Sequence, residues 1–518
     1  MEGQSLKKAG YWAFLVSIFL MVSKIMGFVR EILIARRFGA SSESDAYFAA
    51  LTAIIIVVGA MGSGLNTTLV PIFSDIKMHQ GREGKNRYFS NVLSVTLLVS
   101  FGIVFFIFIL AKPYAHLIAK GYTGDLHELV VYLIRLGLPM VIFLGITYVS
   151  NAYLQSDEVY GPHALMGIPY NLVFILYLLL VRRPSIVGLM MVTLLASAMQ
   201  FFIQLPALRS RRVRFRFRPD FKDEHLIRTY QLVLPVVLSS TVYQINLLID
   251  RSLASTLAEG SLSVLTYAMK VNTLVISVFV VAITTVIFPK LSNALQRGNE
   301  KEAGKLFGNS LTMVNLVAIP AAVGMMVLAK PIIQVLFERG AFDGEATQAT
   351  AEALAFYAPG LVGQSLRMAL ENMYYSRQDT KTPMINGIFS VAINVTFNFI
   401  LIRFLAHKGL ALATSISALS SSIVLYILLR KKIMFNEGSV LSTSLRIILA
   451  AAVMGIFANV FFYSIVPVDC SRMMMALGLM GTIVLSMLVY GLMTLFLGVK
   501  DTKMLIQAIL FKLKGRKS

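Results

Sequence analysis

Charged side chains interrupt the first strongly apolar stretch of the chain, which reads KIMGFVREILIARRFG at residues 24–39. Lys24, Arg30 and Glu31 lie inside a segment long enough to cross a bilayer, where each charge costs roughly 2.5–3.5 kcal/mol on insertion scales. Guanidinium and ammonium groups bind phosphate and carboxylate oxygens, the guanidinium through a planar fork of donors. These residue types predict either an anionic ligand or carboxylates on other helices as partners.

Helical geometry sorts these charges onto two neighbouring faces. At 100° per residue, Lys24 and Glu31 share one face, where pairing would offset part of the cost of burial. Ser23, Arg30 and Arg37 form the adjoining stripe, which has no carboxylate of its own. Whether Lys24 contacts a ligand or balances Glu31 stays open at this point.

Other apolar segments also contain ionisable residues. Those well inside predicted spans are the cations Lys24, Arg30, Arg135, Arg251, Lys270 and Arg367 and the anions Glu31, Asp250 and Glu371. Cations outnumber anions twofold, so internal pairing cannot neutralise the set. The excess favours a cationic cavity that receives an anionic ligand over a purely structural network.

Several carboxylates are expected to pair with cations of this set. Asp45, at the start of the second span, and Asp250 are the candidate partners for the arginines of the first helix. Arg367 and Glu371 lie one helical turn apart and are expected to pair structurally. Asp250 and Arg251 are expected to pair in one conformational state, as a gate.

The composition is that of a helical membrane protein. Of the 518 residues, 57% are hydrophobic and 14% charged, against about 25% charged in soluble domains, and the mean hydropathy is +0.74. Apolar runs of roughly 20 residues predict an all-α polytopic fold, whereas a β-barrel would need short alternating segments. About fourteen spans are predicted, at 10–36, 45–74, 88–111, 127–155, 162–181, 185–206, 226–255, 262–289, 307–329, 347–375, 383–405, 409–429, 441–466 and 472–498.

The distribution of Lys and Arg predicts that both termini face the cytoplasm. With this orientation the cytoplasmic segments hold 28 cations and the outer segments about 10. The net charge of +21 then reflects membrane topology rather than nucleic-acid binding. The stretch RSRRVRFRFRPDFK at 209–222 is either an interfacial stop signal or a site for anionic lipid headgroups. The tail from Lys503 to Lys517 is expected to lie along the inner surface of the membrane.

Several classes of catalytic and cofactor site are poorly supported. Cys470 is the single cysteine and the six histidines are scattered, so no disulfide framework or metal cluster is expected. No Walker loop, GxSxG elbow or HExxH motif occurs in the sequence. The chain is therefore predicted to be a transporter rather than an enzyme, without a certain cofactor, and coupling to a monovalent cation stays open.

The chain repeats itself with an offset of 218–221 residues. LAKP occurs at 110–113 and again at 328–331, and TTLVPIFS at 67–74 resembles TTVIFPKLS at 284–292. The offset spans six helices, so the two copies should share one orientation, which is one known transporter architecture. The predicted organisation is an N-lobe at 1–206, a basic linker at 207–225, a C-lobe at 226–432, two further spans at 433–498 and a basic tail at 499–518.

Four motifs resemble those of the MurJ/MviN family of lipid II flippases. They are SKIMGFVREILIARRFGASSESDAYF at 23–48, VPIFSD at 70–75, LFERGAFD at 336–343 and YYSRQDTKTP at 374–383. The resemblance implies two six-helix lobes and two C-terminal helices that border a groove for a lipid tail. It also implies undecaprenyl-pyrophosphate-linked disaccharide-pentapeptide as the substrate, moved from the inner to the outer leaflet.

Family functional positions carry over to Ser23, Lys24, Arg30, Glu31 and Asp45. A further family position, an arginine in a motif resembling YAxR, matches Lys270 in YAMK at 267–270. Lysine at these positions keeps the charge but lacks the bidentate geometry of arginine.

The resulting hypothesis assigns pyrophosphate contacts to Arg30, Lys24 and Lys270, with Glu31 and Asp45 holding these cations in place. The lobes would alternate between inward-open and outward-open states, driven by the membrane potential. An exporter of drugs or of other lipid-linked oligosaccharides is an alternative from the same superfamily. A non-transporting scaffold for cell-wall assembly, with cell-wall synthesis proteins as partners, is a second alternative.

Overall fold

The computed structural model of the chain describes residues 2–433, 435–467 and 470–502, and their side chains except at 2–14 and 239. Within these ranges the chain forms helices joined by turns and short extended links, without a β-strand. The prediction of an all-α fold is therefore confirmed. The basic tail from Lys503 to Lys517, predicted to lie along the membrane surface, is outside the described residues.

The residues up to Ser263, together with Arg339–Phe342, form one compact unit. Its helices are α1 Glu2–Phe38, α2 Ser42–Ile109, α3 Ala111–Ile118, α4 Gly124–Gly137, α5 Met140–Gln155, α6 Gly161–Leu165, α7 Gly167–Leu180, α8 Ile186–Phe202, α9 Leu205–Ser210 and α10 Glu224–Ala254. Aromatic residues of α2 and α5 form the centre of this unit, where the rings of Phe73 and Tyr153 lie 5.5 Å apart. Such edge-to-face packing joins the middle of α2 to the end of α5.

The second compact unit contains the remaining residues from Val264 onward. Its helices are α11 Ser261–Val275, which begins in the first unit, a π-helix Ile276–Val280, α12 Val281–Gln296, α13 Glu300–Val327, α14 Ala329–Phe337, α15 Gly344–Ser376, α16 Lys381–Leu405, α17 His407–Arg430, α18 Glu437–Ile465 and α19 Arg472–Phe496. The last two helices pack on this unit through Leu328, Phe462 and Met475. The lobe boundaries drawn from the sequence repeat stay a prediction.

Eleven of the described helical segments are long and apolar enough to cross a bilayer. One of them is α2, whose 68 residues form two helices that follow each other across a kink at Gly81. It contains both predicted spans 45–74 and 88–111. A multi-pass membrane protein is thus confirmed, while the total of about fourteen spans stays a prediction.

The polar segment between these two predicted spans, residues 75–88, is helical on both sides of the kink. The single non-helical residue inside α2 is Gly81, with φ 68° and ψ −165°. Glycine has no Cβ and adopts positive φ without strain, so one residue suffices to break the helix. The polar character of 75–88 marks exposure at the end of a span rather than loss of helix.

The two LAKP motifs adopt the same local structure. Leu110 ends α2 and precedes α3, with φ −89° and ψ 19°. Leu328 ends α13 and precedes α14, with φ −102° and ψ 20°. The 218-residue repeat therefore reproduces a helix break and a short following helix in each unit.

The basic linker lies along α2, where side chains of α2 form hydrogen bonds with the backbone of the linker. The N–H of Arg218 donates to Ser94 Oγ at 2.9 Å. Asp220 N donates to Asn91 Oδ1 at 2.8 Å, and Asn91 Nδ2 donates back to the Asp220 carbonyl at 3.0 Å. The side chains of Phe215, Phe217 and neighbouring arginines remain exposed. Binding of anionic headgroups by the linker stays a prediction.

Candidate functional site: the Arg30 cluster

Arg30 is held between α1 and α7 by two polar partners. Its Nη2 donates to Glu31 Oε1 at 2.6 Å, and its Nη1 donates to Asn171 Oδ1 at 3.0 Å. The side chains of Arg30 and Glu31 are only 16% and 6% exposed. A buried carboxylate thus offsets the charge of a buried guanidinium inside an apolar helix pair.

Two aromatic rings of α7 cover the guanidinium. The Arg30 Cζ lies 5.2 Å from the centre of the Tyr170 ring and 5.1 Å from that of Phe174. Both distances fall within the range of cation–π attraction. The rings and the two hydrogen bonds together fix the plane and the position of the guanidinium.

Small residues allow α1 and α7 to approach closely enough for these contacts. Asn171 Nδ2 donates to the carbonyls of Ser23 and Gly167 at 3.0 and 2.8 Å. A Cβ on Gly27 would lie 3.6 Å from the Asn171 amide, and one on Gly167 would collide with Ser23 Oγ. Ser23, predicted to bind substrate, therefore lies at the α1–α7 contact beside the residue that orients Arg30.

The expected division of charges on α1 is partly wrong. The sequence predicts no carboxylate on the stripe of Arg30 and partners on other helices, yet Arg30 binds the adjacent Glu31. Neighbouring positions on a helix point about 100° apart, but the long arginine side chain bends around the helix into the groove against α7. Arg37 donates from Nε to the Leu178 carbonyl at 2.9 Å and so also binds α7.

Asp45 binds a loop in place of the arginines of α1. Its Oδ1 accepts from the backbone and hydroxyl of Ser263 at 2.7 and 2.5 Å, and its Oδ2 accepts from Gly260 N at 2.9 Å. The sequence predicts that Asp45 pairs with an arginine of the first helix, which is not the contact observed. A carboxylate in this position satisfies free N–H groups at the start of α11 and joins that helix to α2.

The same loop has a second anchor. Glu259 Oε1 accepts from the Ser42 backbone N–H at 2.9 Å. This hydrogen bond lowers the pKa of Glu259, because it stabilises the charged form. Asp45 and Glu259 together clamp the start of α2 against the 258–263 loop.

Two glycines shape the C-terminal end of α1 and explain the motif at 336–343. Gly39 and Gly340 have φ 63° and 64°. A Cβ on Gly39 would collide with the Ala341 carbonyl, and Ala341 N donates to the Arg36 carbonyl at 2.9 Å. Backbone packs directly on backbone here, which only glycine permits.

The two lysines assigned to the pyrophosphate are exposed. Lys24 lies on α1, one turn and a half before the Arg30 cluster, and Lys270 lies on α11. Both have polar or electrostatic contacts in the structure. Their roles toward a ligand stay a prediction.

Two of the remaining sets of predicted charges have local partners on or beside their own helices. Arg135 donates to the Phe108 carbonyl at 3.3 Å and lies over that ring at 5.1 Å. Asp250 Oδ2 accepts from Asn246 at 3.4 Å, one turn away. Arg251 follows on the same helix, and the gating role of this pair stays a prediction.

The pairing of Arg367 with Glu371 is confirmed. Their side chains lie 3.5 Å apart, at 35% and 25% exposure, on α15. The i,i+4 spacing and an apolar environment are enough to account for it.

Sequence reasoning missed Asn171, Tyr170 and Phe174, which complete the Arg30 cluster. A signal was present in PYNLVF at 169–174, where an asparagine lies inside an apolar span. Polar residues at such positions commonly hydrogen-bond between helices. Among the described residues, no group of three His, Cys, Asp or Glu side chains is placed to bind a metal ion.

Comparison with known proteins identifies one family over most of the chain. The family model described as lipid II flippase MurJ matches residues 34–480. The probable lipid II flippase MurJ of Vibrio cholerae serotype O1 is 30% identical over 426 residues, which cover 80% of this chain and 81% of that protein. The corresponding protein of Haemophilus influenzae is 28% identical over 510 residues, or 94% of this chain and 99% of that protein.

Solved structures show the same fold. A lipid II flippase MurJ in an inward closed conformation matches with a TM-score of 0.80 at 24% identity, covering 95% of this chain and 100% of that one. An inward-facing multidrug resistance MATE family transporter of the MOP superfamily matches with a TM-score of 0.67 at 17% identity, covering 79% and 94%. The range matched by the family model, residues 34–480, includes Asn171 and both LAKP breaks, and the chain belongs to the lipid II flippase MurJ family.

Proposed function

We propose that this chain is a lipid II flippase. It moves undecaprenyl-pyrophosphate-linked peptidoglycan precursor from the inner to the outer leaflet of a bacterial cytoplasmic membrane. The family match over residues 34–480 carries the proposal. Both termini face the cytoplasm, in keeping with the excess of Lys and Arg in the segments assigned to that side.

Arg30 is the proposed pyrophosphate ligand, with Glu31 as its partner when substrate is absent. The support is the geometry of the cluster: a planar donor fork fixed by Asn171 and two rings, with a carboxylate on one side. A phosphate oxygen has the same preference for that fork as the carboxylate. Substrate binding then exchanges one oxygen anion for another at the guanidinium, so Arg30 keeps a counter-charge in both states.

Ser23, Lys24 and Lys270 are the further proposed contacts of the headgroup. The exposure of both lysine side chains supports their access to a ligand. The protein works by alternating access, with Asp250 and Arg251 pairing in one state as a gate. The polyprenyl tail stays in lipid, along the groove bordered by the two C-terminal helices.

The membrane potential is the proposed driving force. A group with two negative charges gains about 4.6 kcal/mol per 100 mV when it leaves a negative interior, at about 2.3 kcal/mol per charge. The experiment collapses the potential while keeping the pH gradient in proteoliposomes. Flipping that continues at an unchanged rate would exclude this driving force.

Replacement of Arg30 tests the site. In a cell whose own flippase is depleted, Arg30→Ala should fail to support growth, and precursor should accumulate in the inner leaflet. Arg36→Ala is the matched control, because Arg36 lies on the same helix with an exposed side chain. Normal growth of the Arg30→Ala strain at normal protein levels would overturn the assignment.

The same strains separate the proposed function from its alternatives. A drug exporter would change susceptibility to cationic drugs without precursor accumulation on depletion. A scaffold would lose glycan polymerisation while the precursor still reaches the outer leaflet. Accumulation in the inner leaflet supports the flippase alone.

A further inference from the structure

A cavity of about 1040 Å³, lined by many polar and charged residues, lies in the second unit, at the starts of α13 and α18 and beside the segment that follows α19. Its lining runs from Lys301 to Thr312 on α13, which is about 16 Å along the helix axis. Ligand sites in proteins commonly measure about 300–1,000 Å³. The space therefore suits a molecule with several polar groups rather than a few waters.

Positive charge dominates the lining. Lys301, Lys305, Arg446 and Lys500 face one carboxylate, that of Asp501. In the described part of the chain, none of these four cations forms a salt bridge. Arg446 has only a long contact, 3.5 Å from Nη1 to the Gly498 carbonyl.

Cations just outside the cavity behave differently. Arg377 binds Glu300 at 3.2 Å, and Lys432 binds Asp379 at 3.3 Å. The surface of this unit thus supplies carboxylates to neighbouring cations but leaves those of the cavity available. Like charges facing one space repel each other, and a bound anion would remove that cost.

Neutral donors and open space complete the lining. Hydroxyl and amide side chains of Asn309, Thr312, Ser439 and Thr443 lie among the cations. Gly308 leaves room, since a Cβ there would meet only Val440 at 3.5 Å and Phe435 at 4.0 Å. Ammonium, guanidinium and hydroxyl groups together form the donor set that recognises phosphate.

We propose that this cavity binds a phosphate-bearing ligand with at least two negative charges. The ligand is an anionic lipid headgroup or a soluble polyphosphate, which share this chemistry. Leu441 and Leu445, exposed on α18 beside the lining residues Ser442 and Arg446, place an apolar surface next to the cavity. The site is separate from the Arg30 cluster and does not depend on the proposed transport activity.

Binding to the purified full-length chain tests the proposal. Cardiolipin against phosphatidylcholine in mixed micelles probes the lipid source, and inorganic pyrophosphate in detergent probes the soluble source. The Lys305→Ala/Arg446→Ala variant should bind the preferred probe at least about tenfold more weakly. Lys431→Ala, which removes an exposed cation outside the lining, should bind as the unchanged protein does.

A second variant distinguishes binding inside the cavity from general attraction to its positive charge. Gly308→Met fills the cavity while keeping all four cations, so it should weaken binding to a similar extent. The unfolding midpoint of each variant shows whether the fold is kept. Cardiolipin binding alone assigns the lipid source, and pyrophosphate binding assigns the soluble one. Absence of saturable binding of either probe, or equal binding by all variants, would overturn the proposal.

Discussion

The turns that follow α5 and α15 share a backbone conformation but carry opposite charges. Glu158 and Gln378 both have φ 60°, an unusual value for a residue with a side chain. In each turn the preceding residue, Asp157 or Arg377, donates its N–H three residues back, at 3.0 and 3.1 Å. The repeat thus reproduces the turn, with an anion at one position and a cation at its counterpart.

The anion of the first turn is buried among cations. Asp157 Oδ1 accepts from Lys77 at 2.7 Å and from Lys85 at 2.8 Å, and Arg211 lies 3.6 Å from Oδ2. The side chains of Asp157 and Lys85 are each 1% exposed. Lys85 also lies 4.0 Å from the centre of the Tyr153 ring.

The cation of the second turn is far more exposed. Arg377 binds Glu300 at 3.2 Å, where the side chains are 28% and 55% exposed, and it also donates to the Lys432 carbonyl. If one partner of this exposed pair is removed, water can solvate the charge that remains. Water cannot reach the buried side chains of Lys85 and Asp157 in the same way. A repeated turn thus fixes the position of a charge, while the burial provided by neighbouring helices decides how much that charge contributes to the free energy of unfolding.

The largest expected effect follows from removing the buried anion. Asp157→Asn should lower the free energy of unfolding by about 3–5 kcal/mol, because it leaves a buried lysine without its carboxylate. Denaturant titration of the purified protein in mixed micelles measures the change. Glu158→Gln is the control, with an exposed side chain one residue away and an expected change within about 0.5 kcal/mol. Equal losses in both variants would contradict the comparison.

At acid pH the difference in stability between the unchanged protein and the Asp157→Asn variant should disappear. Burial raises the pKa of Asp157, but hydrogen bonds from Lys77 and Lys85 outweigh this and leave its pKa below the ordinary value. A lowered pKa in the folded state contributes stability above the unfolded pKa of about 3.9, and this is lost as the pH falls further. The difference in unfolding midpoint should be constant from pH 7 to about 5 and shrink below about pH 4. A difference that shrinks already near pH 6 would contradict a lowered pKa.

A smaller effect is expected at the second turn. Arg377→Gln should cost about 1 kcal/mol or less, because its ion pair is partly solvated. The same denaturant titration measures it. A loss as large as that of Asp157→Asn would show that exposure does not separate the two turns.

The smallest effect tests the shared backbone. Glu158→Gly and Gln378→Gly each relieve a left-handed conformation and should shift the free energy of unfolding by less than about 1 kcal/mol. Because both residues have φ 60°, the two shifts should have the same sign and similar size. Shifts of opposite sign would mean that the likeness of the turns does not extend to their energetics.

The repeat was predictable from sequence to within one residue. Tyr153 and Tyr374 align with an offset of 221, as do Pro162 and Pro383, whereas the hydrogen bonds and the positive φ of the turns match with an offset of 220. Hydropathy and identical letters locate helices, but the end of a helix depends on where its last carbonyls find donors. The same limit applies to the polar stretch 75–88, where composition indicates a separation of two spans but only the structure places the break at Gly81.

The Arg30 cluster shows a similar division. Charge types and 100° spacing are enough to select Arg30 and Glu31 as functional candidates. The pairing partner was misjudged, because helical angles describe where a Cβ points and not where a long side chain ends. Asn171 could not be selected by spacing at all, since it lies 141 residues away and meets Arg30 only through helix packing.

The sequence by itself determined that this is a helical membrane protein of repeated halves, with cations in excess inside its spans and the motifs of one family. Those properties follow from composition, periodicity and internal identity, which need no knowledge of contacts. Only the tertiary structure decided which charges meet: Arg30 with Glu31 and Asn171, Asp45 with the loop before α11, and Asp157 with two lysines. The reason is physical, because the partner of a charge in an apolar setting is chosen by distance and burial, and packing between distant segments sets both.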